Sequence, residues 1–136
     1  MNKAALNELG NFTGTQQYHR LRPFTMVASD GAIFLAQNAD AFWMLQEIAG
    51  AQDERAIKND PSLNGIQFWA LEKVDGDANR PQAKLVCYRD EGDPAWSKEI
   101  PFTDFPFDVC PNPRVWVAPT ELEGREVQVA YLPSEH

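Results

Sequence analysis

"GIQFWALEKVDGDANRPQAKLVCYRDEGDPAWSKEIPF", residues 65–102, decides the fold. Three segments, "GIQFWALEKV" (65–74), "QAKLVCYR" (82–89) and "AWSKEIPF" (95–102), alternate with "DGDANRP" and "DEGDP", both dense in turn residues. Strand-length segments punctuated this way predict a three-stranded antiparallel meander. Downstream, "RVWVAP" (114–119) and "REVQVAYL" (125–132) predict two more strands around the loop "TELEG".

Upstream the pattern changes. "NADAFWMLQEIAG" predicts one helix over 38–50, with Asn38 as N-cap, Asp40 in the first turn and Gly50 at the end. Phe42, Leu45, Ile48 and Ala49 fall on one face, and Trp43 and Met44 broaden it. "AIFLAQ" before it is an apolar run that periodicity leaves open between strand and helical turn. Residues 16–22 predict an edge strand with Pro23 outside the ladder, "FTMVAS" a second strand, and Asp30-Gly31 a turn. Leu6 and Leu9 among helix formers predict a short helix over 2–10 that Gly10 ends. Helices early and strands late give an α+β class. The expectation is a single domain over 1–136: one mainly antiparallel sheet of roughly five to seven strands, with the central helix and the N-terminal helix on one face.

"PFTDFPFDVCPNP" (101–113) holds four of the ten prolines. Each fixes φ and removes a donor, so the segment reads first as a stiff crossover anchored by Phe102, Phe105 and Phe107. Alternating Phe and Asp also makes it a candidate docking loop, in which Phe102, Asp104, Phe105, Phe107 and Asp108 would take part.

Composition narrows the function classes. Of 136 residues, 43% are hydrophobic and 24% charged, as in a globular domain. Apolar runs such as Ala32–Ala36 fall far short of the roughly 20 residues of a membrane span, and "MNKAALNELGNF" lacks an apolar signal-peptide core. Two cysteines, Cys87 and Cys110, predict reduced thiols and a cytoplasmic location. The net charge of −8 argues against direct nucleic-acid binding, which needs clustered Lys and Arg. It is also well short of the about 20–24 phosphate charges on duplex DNA as long as such a domain. DNA mimicry would require folding to gather the acids, whose densest cluster is "RDEGD" with Asp90, Glu91 and Asp93.

"FTGTQQYHR" (12–20), "SDG" (29–31), "AFWMLQEIA" (41–49), "FWALEKV" (68–74), "FTDFP" (102–106) and "YLPSE" (131–135) occur in that order along nearly the whole chain. The series resembles a family of small bacterial proteins of unknown function, with His19 in place of an aromatic and Ser29 in place of Thr. The resemblance carries no catalytic residue. It implies a bacterial chromosome, plasmid, phage or integrated element as the setting.

No constellation for chemistry stands out. Neither CxxC nor HxxxH spacing occurs, so no metal and no cofactor are expected. Cys87 reads as a core residue; Cys110 is expected to be more accessible, and His136 to be mobile. Asp104 and Asp108 could approach as paired acids, although a turn-stabilising role suits Asp104 better. Thr13, Gly14 and Thr15 read as a tight turn setting Phe12 against the core. Tyr18, Arg20 and Arg22, alternating on one strand face, form a modest cationic-aromatic patch.

The sequence therefore predicts a non-catalytic, acidic cytoplasmic protein that binds another macromolecule, in all expectation a protein. The sharper form is a mobile-element inhibitor of a host nucleic-acid enzyme or defence complex, antirestriction or anti-CRISPR in type. The alternatives are a small enzyme or ligand-binding protein with a pocket between helix and sheet near Trp43, Trp69 and the proline loop, and a homodimer pairing through the 16–22 edge.

Overall fold

The computed structural model describes residues 1–75 and 81–136. Strands β1 (His19–Arg20) and β2 (Val27–Ala28) precede helices α1 (Asp30–Asn38), α2 (Phe42–Ala51) and α3 (Arg55–Lys58). Strands β3 (Gln67–Val74), β4 (Gln82–Asp90), β5 (Asp93–Ile100), β6 (Arg114–Leu122) and β7 (Arg125–Tyr131) follow. All seven strands join one sheet in the order β1-β2-β7-β6-β3-β4-β5. Only β2 and β7 pair in parallel; every other neighbouring pair is antiparallel. The α+β class and the predominantly antiparallel sheet are as the sequence predicts.

Strand alternation divides the sheet into two faces. Trp69, Leu71, Leu85, Cys87, Val115 and Val117 point to one side, where they are buried with Leu35 of α1 and Met44, Leu45 and Ile48 of α2. On the other side Val27, Val129 and Tyr131 form a smaller cluster with Trp116, Ala118, Leu122 and Val127. Among the described residues no helix is long and apolar enough to cross a membrane.

Several local expectations are corrected. Asp30-Gly31 is not a turn but the start of α1, because the Ser29 hydroxyl caps it by accepting the Ala32 amide at 3.1 Å. The helix predicted over 38–50 is present as α2, Phe42–Ala51, and "AIFLAQ", which periodicity leaves open, belongs to the separate helix α1 before it. Asn38 ends α1 instead of capping α2, Asp40 takes a left-handed φ of 50° in the link, and Gly50 lies within α2. Phe42 sits at the exposed start of α2, outside the buried stripe of Met44, Leu45, Ile48 and Ala49. The N-terminal helix is a 3-10 segment, Ala5–Asn11, that contains Gly10. The 16–22 strand shrinks to His19–Arg20, and "FTMVAS" to Val27–Ala28. Most of the turn expected over 75–81 lies outside the described residues.

The proline segment is the crossover from β5 to β6, which stand three positions apart in the sheet, about 14 Å at the usual strand spacing. Phe105 is buried and packs on half-buried Phe107 at 5.0 Å between centroids. The Thr103 amide donates to the Pro81 carbonyl, and the amides of Val109 and Cys110 donate to that of Pro106. Phe102 does not anchor the segment; it is 64% exposed.

Candidate functional site

The quoted motifs at the two chain ends converge on the N-terminus of α1. The Glu135 carboxylate accepts the Ser29 hydroxyl at 2.6 Å and the amides of Gly31 and Leu132 at 3.2 and 2.9 Å. Asp30 accepts the Gln16 amide and bonds the His19 ring at 2.9 Å, while its own amide donates to Thr15 Oγ1. These bonds, the His19 contact foremost and the Gln16 amide next, hold the Asp30 carboxyl below its ordinary range. Helix N-termini favour anions, and here two carboxylates of the chain itself occupy the position. Phe12 packs on Phe34 at 4.8 Å, the placement expected of the "FTGT" turn. The arrangement locks both chain ends to α1, and its polar groups are already partnered.

The other predicted residues scatter. Tyr18 is exposed beside the lock; Arg20 lies 3.9 Å from Glu123, and exposed Arg22 is on the turn between β1 and β2. Asp108 pairs with Lys3 at 2.9 Å, which lowers its carboxyl, so it is engaged elsewhere than with Asp104. Phe102 and Asp104 line a concavity of about 430 Å³ that adjoins a second of about 550 Å³. The two share Trp43, Glu47 and Lys98, and the Lys98 ammonium donates to Glu47 at 2.8 Å. Trp69 takes no part: it is 1% exposed, and its indole N–H donates to Gln67. Cys110 is buried, contrary to expectation, and burial raises its thiol pKa. Burial likewise pushes Cys87 up to about 12, so neither sulfur is held as a thiolate. His136 is placed, not loose: its ring bonds the Tyr131 hydroxyl at 3.0 Å and meets Trp116 edge-on at 5.2 Å. Among the described residues no group of three or more His, Cys, Asp or Glu is arranged to hold a metal ion.

The sheet's second face carries a surface that sequence reasoning did not single out. β6, β3 and β4 align Trp116, Phe68 and Tyr88 in one row, because Phe68 faces Trp116 on one side and Tyr88 on the other. Phe68 and Trp116 meet at 5.1 Å with their planes at 87°. All three are partly buried, each with some surface left open. They floor a hollow of about 410 Å³ whose walls include Glu72, Arg114, Asp90 and Glu91. The Tyr88 hydroxyl donates to Glu72, and that bond, helped by burial, raises the phenol pKa. Asp90 and Glu91 are the part of this site that the sequence did indicate.

Topology places further acids at the same end of the sheet. β4 and β6 both run antiparallel to β3 and are therefore parallel to each other. The β4–β5 and β6–β7 turns consequently leave the sheet at the same end. Asp90, Glu91 and Asp93 stand at the first turn; Glu121, Glu123 and Glu126 stand at the second. Arg89 bridges Asp93 to Asp60, whose carboxyl is lowered by the Ser62 hydrogen bond foremost and by Arg89 next, whereas Asp90 and Glu91 have no cationic partner among the described residues. Strand alternation points Glu121 and Glu126 to the helix-bearing side, because Trp116, Ala118 and Leu122 face the other, so of the turn acids Asp90 and Glu91 border the hollow.

A family model described as a family of unknown function (DUF6876) matches residues 3–136. No curated protein and no solved structure matches the chain.

Proposed function

We propose that this chain, which belongs to the DUF6876 family of unknown function, acts without catalysis by docking a basic protein on its second sheet face. The observation that carries this reading is the partly exposed row of Phe68, Tyr88 and Trp116, bordered by Asp90 and Glu91 of the β4–β5 turn. Aromatic side chains are enriched in protein interfaces, and like-signed rim charge selects partners and speeds encounter. With a net charge of −8, the natural complement is a groove lined by Lys and Arg.

Such grooves belong above all to nucleic-acid enzymes, so the sharper reading is a cytoplasmic bacterial inhibitor that occupies one. A plasmid, phage or integrated element is its fitting genetic setting, and restriction or CRISPR complexes are its fitting targets. The experiment is capture from bacterial lysate at low and high salt, with the wild-type chain and an Asp90→Asn/Glu91→Gln variant as baits. We expect nucleic-acid-binding proteins that the wild type retains at low salt, that duplex DNA displaces, and that the variant retains poorly. Retention indifferent to the double substitution, or no such protein on either bait, refutes the reading.

A further inference from the structure

The hollow on the second sheet face has a chemistry narrower than a general acidic surface. Its floor is aromatic, with Phe68, Tyr88 and Trp116 contributed by three adjacent strands. Its walls hold three carboxylates, Glu72, Asp90 and Glu91, against one guanidinium, Arg114. Glu72 accepts the Tyr88 hydroxyl, and the lining as a whole holds two more carboxylates than cations, three against one. Asp90 and Glu91 have no salt-bridge partner among the described residues. Asp90 Oδ1 accepts the Glu91 amide at 2.8 Å, and both residues are exposed where they line the hollow.

Resting on the docking function proposed above, we infer that this hollow receives an arginine side chain of the basic partner. A guanidinium is planar and weakly hydrated. It stacks on an aromatic face while its in-plane N–H groups reach carboxylates at the edge, whereas a lysine ammonium is compact, strongly hydrated and without a face to stack. An aromatic floor combined with rim carboxylates meets both requirements. A volume of about 410 Å³ leaves room for the side chain and the backbone that carries it.

The test uses the full chain, labelled with ¹⁵N and on its aromatic side chains, titrated with three capped peptides, Gly-Arg-Gly, Gly-Lys-Gly and Gly-citrulline-Gly. Citrulline keeps the shape of arginine and removes its charge. Saturable shifts of the Trp116 indole and of the Phe68 and Tyr88 ring signals are expected with the arginine peptide, weaker ones with lysine and none with citrulline. Asp90→Asn/Glu91→Gln, two exposed changes that keep the Asp90 acceptor oxygen, is expected to weaken arginine binding by about 3- to 20-fold. Equal response to citrulline or lysine, shifts centred elsewhere, or indifference to the double substitution overturns the inference. If a basic protein still docks in a carboxylate-dependent way while the arginine peptide leaves Trp116 unmoved, this assignment falls and the docking function stands. Should neither bind, both fall.

Discussion

Gly31 is confined by what lies against it, not by its backbone. A Cβ there would clash with the Glu135 carboxylate and lie 2.8 Å from Leu132 Cδ1. Glu135 cannot swing aside freely, because three hydrogen bonds hold it. Gly31→Ala should therefore cost about 2–3 kcal/mol, from overpacking plus lost bonds to a charged group. Urea unfolding would show a lower midpoint at unchanged slope. In a Glu135→Ala background the same substitution should cost clearly less, and a strictly additive pair would sink this account. Asp30 makes a second residue-scale prediction, about pH. Its folded pKa lies below the unfolded one, so the folded state releases the proton more readily. The stability it contributes is complete above the unfolded value of about 3.9 and disappears as pH falls through the depressed folded value. The stability gap between wild type and Asp30→Asn should be constant from neutral pH down to about 5 and close on further acidification. A gap that widens in acid contradicts the assignment.

The β6–β7 hairpin breaks two local rules at once. Glu121 faces Glu126 directly across the strands, and Glu123 adopts φ 52° beside Gly124 at 76°. Opposed like charges destabilise a sheet, and a two-residue turn with both φ positive prefers Asn-Gly. Glu121→Lys should raise stability by about 0.5–1 kcal/mol, read as a higher urea midpoint. A variant that loses stability would mean the carboxylates are held apart by something other than strand pairing. The same hairpin shows what the sequence can tell. The strand bodies are legible because apolar and polar positions alternate between turn-rich segments, but "TELEG" reads as loop although pairing continues from Leu122 to Arg125. α1 is hidden because Asp30-Gly31 has turn chemistry; only Ser29, a capping residue one position earlier, signals a helix. The break at Ala39–Ala41 has no Gly or Pro to announce it, and Asp40 fulfils the left-handed role instead. β2 owes its place to a parallel pairing with β7, about a hundred residues on, which no local pattern encodes. Asp90 and Glu91 stand out by charge alone. Phe68, Tyr88 and Trp116 do not, because an aromatic in a strand reads alike on a covered or uncovered face, and packing of the helices decides which it is.

At the scale of the whole molecule, the net charge of −8 acts on folding and on docking with opposite signs. Self-repulsion among carboxylates disfavours the compact state, most strongly at the sheet end where the two turns emerge together. Screening relieves it. Raising NaCl from 0.05 to 0.5 M should therefore lift the melting temperature by about 3–5 °C, the equivalent of roughly 1 kcal/mol for a chain of this size. Docking to a basic groove draws on the attraction that the same salt screens, so its affinity should fall, by about tenfold or more over that range, mainly through slower association. The two trends together form a test that neither provides alone. A sticky, partly unfolded chain would bind less at high salt simply because it folds better, but that loss would track the melting temperature and be insensitive to Asp90→Asn/Glu91→Gln. A specific acidic face predicts that the double substitution flattens the salt dependence of binding while leaving most of the salt dependence of melting, since eighteen of the twenty acidic residues remain. Differential scanning calorimetry and stopped-flow association across one salt series would measure both slopes. Parallel changes in the two slopes would show that charge governs only the folding of this protein and leaves its contacts untouched.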